Sequence, residues 1–280
     1  MTNIIEKALL VKLSIFQFNP KRNDDKVTKE VLAEKKAKNE AGVWIKNLVN
    51  PKTLADINKK AMQARLENYD LSLSWNEEGY RILPVTMYEK YQSIMRERKK
   101  EFEIEVEKFL SKYELYKSEA KKALNGMYNE KEYPSIEELK RKFDFVVDFT
   151  PLPCGNDFRI SLANDELESL QKDVENRVKE ATKQAMKDLW LRLAEPIKHL
   201  AEKLNDKDAI FRDSIIENIK DIIELIEPLN VMNDVNLTAI AKECKKELLV
   251  NPDTLRANES TRELIAQKAD AILKKMEGYC

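Results

Sequence analysis

The chain has 280 residues, 42% hydrophobic and 35% charged, with only five glycines and a formal net charge of −1. An ordinary globular chain carries about 25% charged residues, so this composition favours long, solvated helices over a sheet-rich fold with many tight turns. The near-zero net charge leaves no global field for binding nucleic acid or anionic lipid.

Three cysteines (Cys154, Cys244 and Cys280) lack CxxC spacing and read as free thiols in a reducing cytoplasm. With His199 as the sole histidine, a structural zinc site has too few ligands. The apolar patch Ala8 to Leu13 is interrupted by Lys12 and has no small-residue cleavage site after it. No window approaches the ~18 apolar residues of a membrane span. The expectation is a soluble, cytoplasmic protein without a membrane role.

Residues 4–18 read as a strand, because Leu9, Val11, Leu13, Ile15 and Phe16 are apolar with Lys12, Ser14 and Gln17 among them. Asn19 to Asp25 forms a turn, and the charged stretch Val27 to Ala41 stops at Gly42. Residues 1–60 hold thirteen Lys/Arg against seven Asp/Glu, the one strong charge asymmetry of the chain. The plain reading is a solvated face; the alternative is a phosphate-facing surface carrying Lys12, Lys21, Arg22 and Lys26.

Pro51 opens a helix through Glu67, and residues 69–84 read as a loop carrying Tyr69, Trp75, Tyr80 and Arg81. Such aromatics either pin the loop to the core or stack bases beside an arginine. Pro84 launches a long helix over Val85 to Asn125, its stripe running from Tyr88 and Tyr91 through Phe102 and Phe109 to Leu124, with Gly126 as its C′ residue.

Ser135 and Glu138 form a capping box over a short helix. Residues 143–149 and 157–162 then read as the two strands of a hairpin, joined by Pro151-Leu152-Pro153-Cys154-Gly155-Asn156. A two-stranded ribbon is marginal alone, so the strand at 8–18 is expected to make it a three-stranded sheet.

The dominant element is Leu162 to Asn205. Asn164 can cap it, and Leu167, Leu170, Val174, Val178, Ala181, Ala185, Leu189, Leu193, Ile197, Leu200 and Leu204 recur every three or four residues. A helix of roughly 40 residues is about 60 Å long and wants an equally long partner, which the helix at 85–125 supplies. Pro196 should kink it. Beyond lie helices at Asp208–Ile226, Leu237–Leu249 and Thr254–Met276.

The expected fold class is therefore mainly α (α+β): a long antiparallel helical hairpin with a coiled-coil-like stalk, a small antiparallel β-sheet at one end and a C-terminal helical bundle. Three segments are expected, at 1–84, 85–205 and 206–280.

No Ser/His/Asp or Cys/His arrangement, P-loop or GxGxxG is present. Asp213, Glu217 and Asp221, with Asp206 and Asp208 upstream, share a spacing that could hold Mg²⁺ or Ca²⁺. They equally match a solvated face opposite an isoleucine stripe. The expectation is no enzyme, no cofactor and no metal.

Four segments in order carry a resemblance. They are Ala8-Leu9-Leu10-Val11-Lys12-Leu13-Ser14-Ile15; Gly79-Tyr80-Arg81-Ile82-Leu83-Pro84; Phe149-Thr150-Pro151-Leu152-Pro153 ahead of Asp157-Phe158-Arg159; and Ala209-Ile210-Phe211-Arg212-Asp213-Ser214 with Glu217-Asn218. On these the chain resembles the DUF3150 family of tailed-bacteriophage and prophage proteins. The resemblance implies a phage-encoded protein in the bacterial cytoplasm and supplies no catalytic residues. Genes of this family lie beside MoxR-like AAA+ ATPase genes, which implies an adaptor or scaffold.

The functional expectation is a non-enzymatic scaffold or adaptor. It would form a homo-oligomer or serve a protein partner such as a MoxR-like AAA+ ATPase, with Ile210, Phe211, Arg212 and Asp213 as interaction residues. The alternative is a nucleic-acid-binding protein using Lys12, Lys21, Arg22, Lys26, Tyr69, Trp75, Tyr80 and Arg81.

Overall fold

Burial of Ala8, Leu10 and Val11, with Lys12 and Ser14 only partly covered, lays down the first strand, β1 (Ala8–Phe16). The computed structural model describes residues 4–75, 78–155, 164–206 and 210–279. After β1 come β2 (Lys21–Asn23), α1 (Asp25–Glu34), β3 (Ile45–Asn47), α2 (Ala55–Asp70), β4 (Leu73–Ser74) and β5 (Tyr80–Pro84). Then follow α3 (Tyr88–Ser111), α4 (Tyr113–Leu124), α5 (Ile136–Lys140) and β6 (Asp144–Pro151). The chain closes with α6 (Asn164–Asn205), α7 (Ser214–Leu229), α8 (Val235–Glu247), α9 (Pro252–Ala257) and α10 (Glu259–Met276). The fold is mainly α, 69% helical, with a small antiparallel sheet.

The chain divides into two compact units. The first comprises Met1–Lys12, Glu67–Gln92 and Asp148–Cys280, the second Leu13–Leu66 and Ser93–Val147.

In the first unit, α6 packs against α10 and α7. Leu189, Leu193, Ile197 and Leu200 are fully buried in one core with Ile219, Ile226, Ala269 and Ile272, to which Leu73 and Ile82 also belong. β1 pairs antiparallel with β5, from Ala8 opposite Pro84 to Lys12 opposite Tyr80, and β4 pairs with β5 through Leu73 opposite Ile82.

In the second unit, rings from α3 pack on residues beside and within β6. Phe102 lies 6.5 Å from Phe143 and 5.9 Å from Phe145, and Phe109 lies 5.9 Å from Phe143. Such tilted and edge-on pairs add to plain area burial. Tyr133 donates its hydroxyl to the Leu48 carbonyl at 2.7 Å.

Several expectations hold: the strand at β1, the capping box at Ser135 and Glu138, and α6 as a single helix of 42 residues. Others are not confirmed or differ in detail. The antiparallel pairing of the two long helices is not confirmed; the α6 stripe is instead covered by α7 and α10. The helix expected over 85–125 is interrupted at Lys112, and Asn125, at φ 45°, rather than Gly126, takes the left-handed backbone at its end.

α6 runs through Pro196 without a break. The stretch 69–84 is not all loop, since it contains β4 and β5. The sheet has four strands, in the order β4-β5-β1-β6, so β1 does neighbour β6. The expected strand at 157–162 and the Leu162–Asn164 cap lie outside the described residues and side chains.

Candidate interaction surface

In the second unit, β3 alternates outward, inward, outward, and the inward residue is Lys46. Its ammonium lies 2.9 Å from the Asp24 carboxylate and 2.9 Å from Glu132, and donates to the Met127 carbonyl at 2.8 Å. Asp24 in turn caps α1 by accepting from the Val27 N–H at 3.1 Å. One cation thus ties together the β2–β3 ribbon, the start of α1 and the turn ahead of α5.

The Lys46 hydrogen bond, then the Val27 N–H, hold the Asp24 carboxyl below its ordinary value of 3.8. Burial alone would lower the Lys46 value. Its bonds to Asp24 and Glu132 outweigh that and leave it above 10.5. Burying charge is costly unless geometry and partners are good, and here Lys46 lies within ion-pair distance of both acids.

With Lys46 turned inward, its neighbour must point outward. Ile45 is 50% exposed, Trp44 45% and Val43 62%. The Trp44 backbone is held all the same: its main-chain N–H donates to the Thr28 hydroxyl at 2.8 Å and its carbonyl accepts from the Asp24 N–H at 2.9 Å. Val31, one turn along α1 from Thr28, is also exposed, and α1 buries none of its residues. Exposed lysines (Lys26, Lys29, Lys35, Lys36 and Lys38) and exposed acids (Asp25, Glu30, Glu34 and Glu40) are interspersed along the same segment, with Lys35 paired to Glu34 at 2.8 Å. The result is a group of exposed aromatic and aliphatic side chains on a fixed backbone, among charges of both signs.

Sequence reasoning missed this patch. Its signal was available: Val43, Trp44 and Ile45 are consecutive apolar residues directly after a glycine, within the most basic part of the chain.

The residues expected to touch nucleic acid fall into two groups. Lys21, Arg22 and Lys26 belong to the second unit, with Lys21 and Lys26 exposed. Lys12, Tyr69, Trp75, Tyr80 and Arg81 belong to the first. There, Trp75 and Tyr80 pack against the core, and the Lys12 ammonium sits 5.0 Å over the Tyr80 ring.

Arg81 is occupied internally. Its Nε donates to the Ser72 hydroxyl at 2.7 Å, its Nη2 to the Ser72 carbonyl at 3.0 Å, and its plane lies 4.7 Å from the half-exposed Tyr69 ring. Arg192 donates to the Tyr69 and Ser72 carbonyls at 2.9 and 3.0 Å. Both cations therefore cap the C-terminal end of α2, where the helix dipole favours positive charge. Burial first, then the neighbouring Arg192, lowers the Arg81 value to about 10.

Of the expected interaction residues, Ile210 is 77% exposed, whereas Phe211 is buried. Asp213 pairs with Arg256, and Arg212 is exposed. Asp208 lies outside the described residues, among which no group of three His, Cys, Asp or Glu side chains is placed to hold a metal ion. His199 is exposed and lines two adjoining grooves of about 420 and 450 Å³ beside α7, the second also lined by Lys203 and Arg212. Cys154 and Cys244 are free thiols; burial pushes Cys244 up to about 12, which keeps it protonated and inert.

By architecture this is a mainly α protein with a four-stranded antiparallel sheet and a separate two-stranded ribbon. Comparison with known proteins finds no matching family model, no matching curated protein and no matching solved structure. No helix among the described residues is long and apolar enough to cross a membrane.

Proposed function

We propose that this chain is a non-enzymatic scaffold or adaptor that docks a protein partner on the Val43-Trp44-Ile45 face. The observation that carries the reading is the exposure of three consecutive apolar side chains on a backbone clamped by Thr28, Asp24 and the Lys46 ion cluster. Apolar surface left in water forgoes about 25 cal/mol per Å² of burial, and a contiguous patch with a polar rim marks a contact site. A tryptophan whose backbone is already fixed has only its side-chain torsions left to lose on binding, which favours its use as an interface anchor.

The surrounding charges are of both signs, so the apolar side chains set the contact and suit an amphipathic partner segment. The resemblance noted above adds a setting for this, a phage-encoded adaptor in the bacterial cytoplasm with an AAA+ ATPase as partner. A second copy of the chain is the other occupant to be tested.

The experiment compares tagged wild type with Trp44→Ala and Val43→Ser, purified from nuclease-treated lysates of infected cells, alongside light scattering of each pure protein. A partner or oligomer present in wild type and lost in both variants, with unchanged melting temperatures, supports the reading. Retention of every partner and of the oligomeric state by both variants overturns it.

A further inference from the structure

A second feature of the same unit lies beside the β2–β3 ribbon, where Arg22 pairs across from Lys46. At the end of β1, Phe16 is 57% exposed and forms one wall of a depression of about 510 Å³. Arg22, Arg141 and Lys142 line it as well. We infer that this depression is a binding site for single-stranded nucleic acid, with Phe16 as the stacking platform for a base and the three cations as phosphate contacts.

The volume lies in the range of small-molecule sites, roughly 300–1,000 Å³. The Arg22 guanidinium is held in place by one nitrogen, Nη1, which donates to the carbonyls of Asn19 at 3.2 Å and Lys21 at 2.8 Å. Arg141 and Lys142 follow α5 and are exposed.

Two carboxylates lie near these cations. Asp144, the one acid lining the depression, accepts the N–H of Phe145 at 2.8 Å. Glu138 accepts the N–H of Ser135 at 2.9 Å and its hydroxyl at 3.1 Å, which, ahead of the nearby Lys142 and Arg141, holds its carboxyl low. Three cations and one carboxylate, Asp144, line the cavity beside an exposed aromatic ring, and this local positive excess makes a complement for a phosphate beside a flat base.

A single strand fits this chemistry better than a duplex. Stacking on an aromatic side chain needs a base free of its own stack, and every base has such a face. The site is local, so the overall charge of −1 is no obstacle.

The test is fluorescence anisotropy of a short labelled oligothymidylate against the full-length protein over a salt series, with thymidine 5′-monophosphate and a duplex as competitors. Three phosphate contacts predict a slope of log affinity against log salt of about −2, from about −0.7 per contact on a single strand. Phe16→Ala should weaken binding about tenfold, and Arg141→Ala/Lys142→Ala should flatten the slope to about −0.7. Lys99→Ala/Lys100→Ala, with the same charge change outside the depression, should bind as wild type.

Competition by the free monophosphate would assign the site to nucleotides as well as strands, and its failure to strands alone; both support the site. Absence of binding at low salt, wild-type binding by the pocket variants, or an equal loss in the control pair overturns it.

Discussion

Lys46 and Asp24 meet at 2.9 Å with side chains only 5% and 10% exposed, so the second unit is pinned by a nearly dry ion pair. Removing one member leaves the other charge covered and unanswered, which is the expensive way to break such a pair. Lys46→Met should therefore lower the melting temperature by about 5 °C or more, whereas the double variant Lys46→Met/Asp24→Asn should recover part of the loss. Thermal unfolding followed by circular dichroism measures both.

The same pair sets a pH dependence. Asp24 is held below 3.8 in the folded chain, so its contribution is present above that value and lost as pH falls through the folded one. Lys46 is held above 10.5, so its contribution is complete below that value and lost as pH rises through the folded one. The wild type should lose stability at both ends of this window, more steeply than the double variant. Parallel pH profiles of wild type and double variant would refute the linkage.

Arg81 makes a prediction that charge alone does not. Its donors reach the Ser72 hydroxyl and carbonyl while its plane lies along Tyr69. A lysine keeps the charge but lacks the planar fork. Arg81→Lys should destabilise the chain by about 1–2 kcal/mol in urea unfolding, and a variant as stable as wild type would show that only the charge matters there.

The α6 stripe divides sharply by burial. Leu193 is fully buried and Leu170 is 37% exposed, though both sit on the same apolar stripe in sequence. Leu193→Ala should cost about 2–5 kcal/mol. Leu170→Ala should cost less than about 1 kcal/mol. Equal losses in urea titrations would contradict the covering of α6 by α7 and α10.

Pro196 lies inside α6 and has no N–H to give the carbonyl of Arg192, four residues back. Pro196→Ala restores a donor in a helix that continues regardless, and should raise stability by up to about 3 kcal/mol. A fall in melting temperature would show that α6 depends on the proline ring at this position.

Much of the fold was legible in the chain because it rests on neighbours in sequence. The apolar spacing from Val174 to Leu204 requires a helix wherever its partners lie, and the Ser135 and Glu138 cap closes within four residues. The candidate surface was not legible in this way. Arg81 looked free beside Tyr69 and Trp75 in sequence, yet it is spent on the end of α2, while Trp44 drew no notice and stands out in the solvent.

The sequence by itself determined the helical class, the dominance of α6 and the strand at β1, since periodicity and capping act over one or two turns. Only the tertiary structure decided which apolar stripe α6 meets, which arginine is consumed, and which side of β3 faces inward. Leucine stripes are chemically interchangeable, so their pairing follows from contacts between residues far apart in the chain. The inward turn of Lys46, which puts Ile45 outside beside Trp44, depends on Asp24 and Glu132 arriving from two other segments.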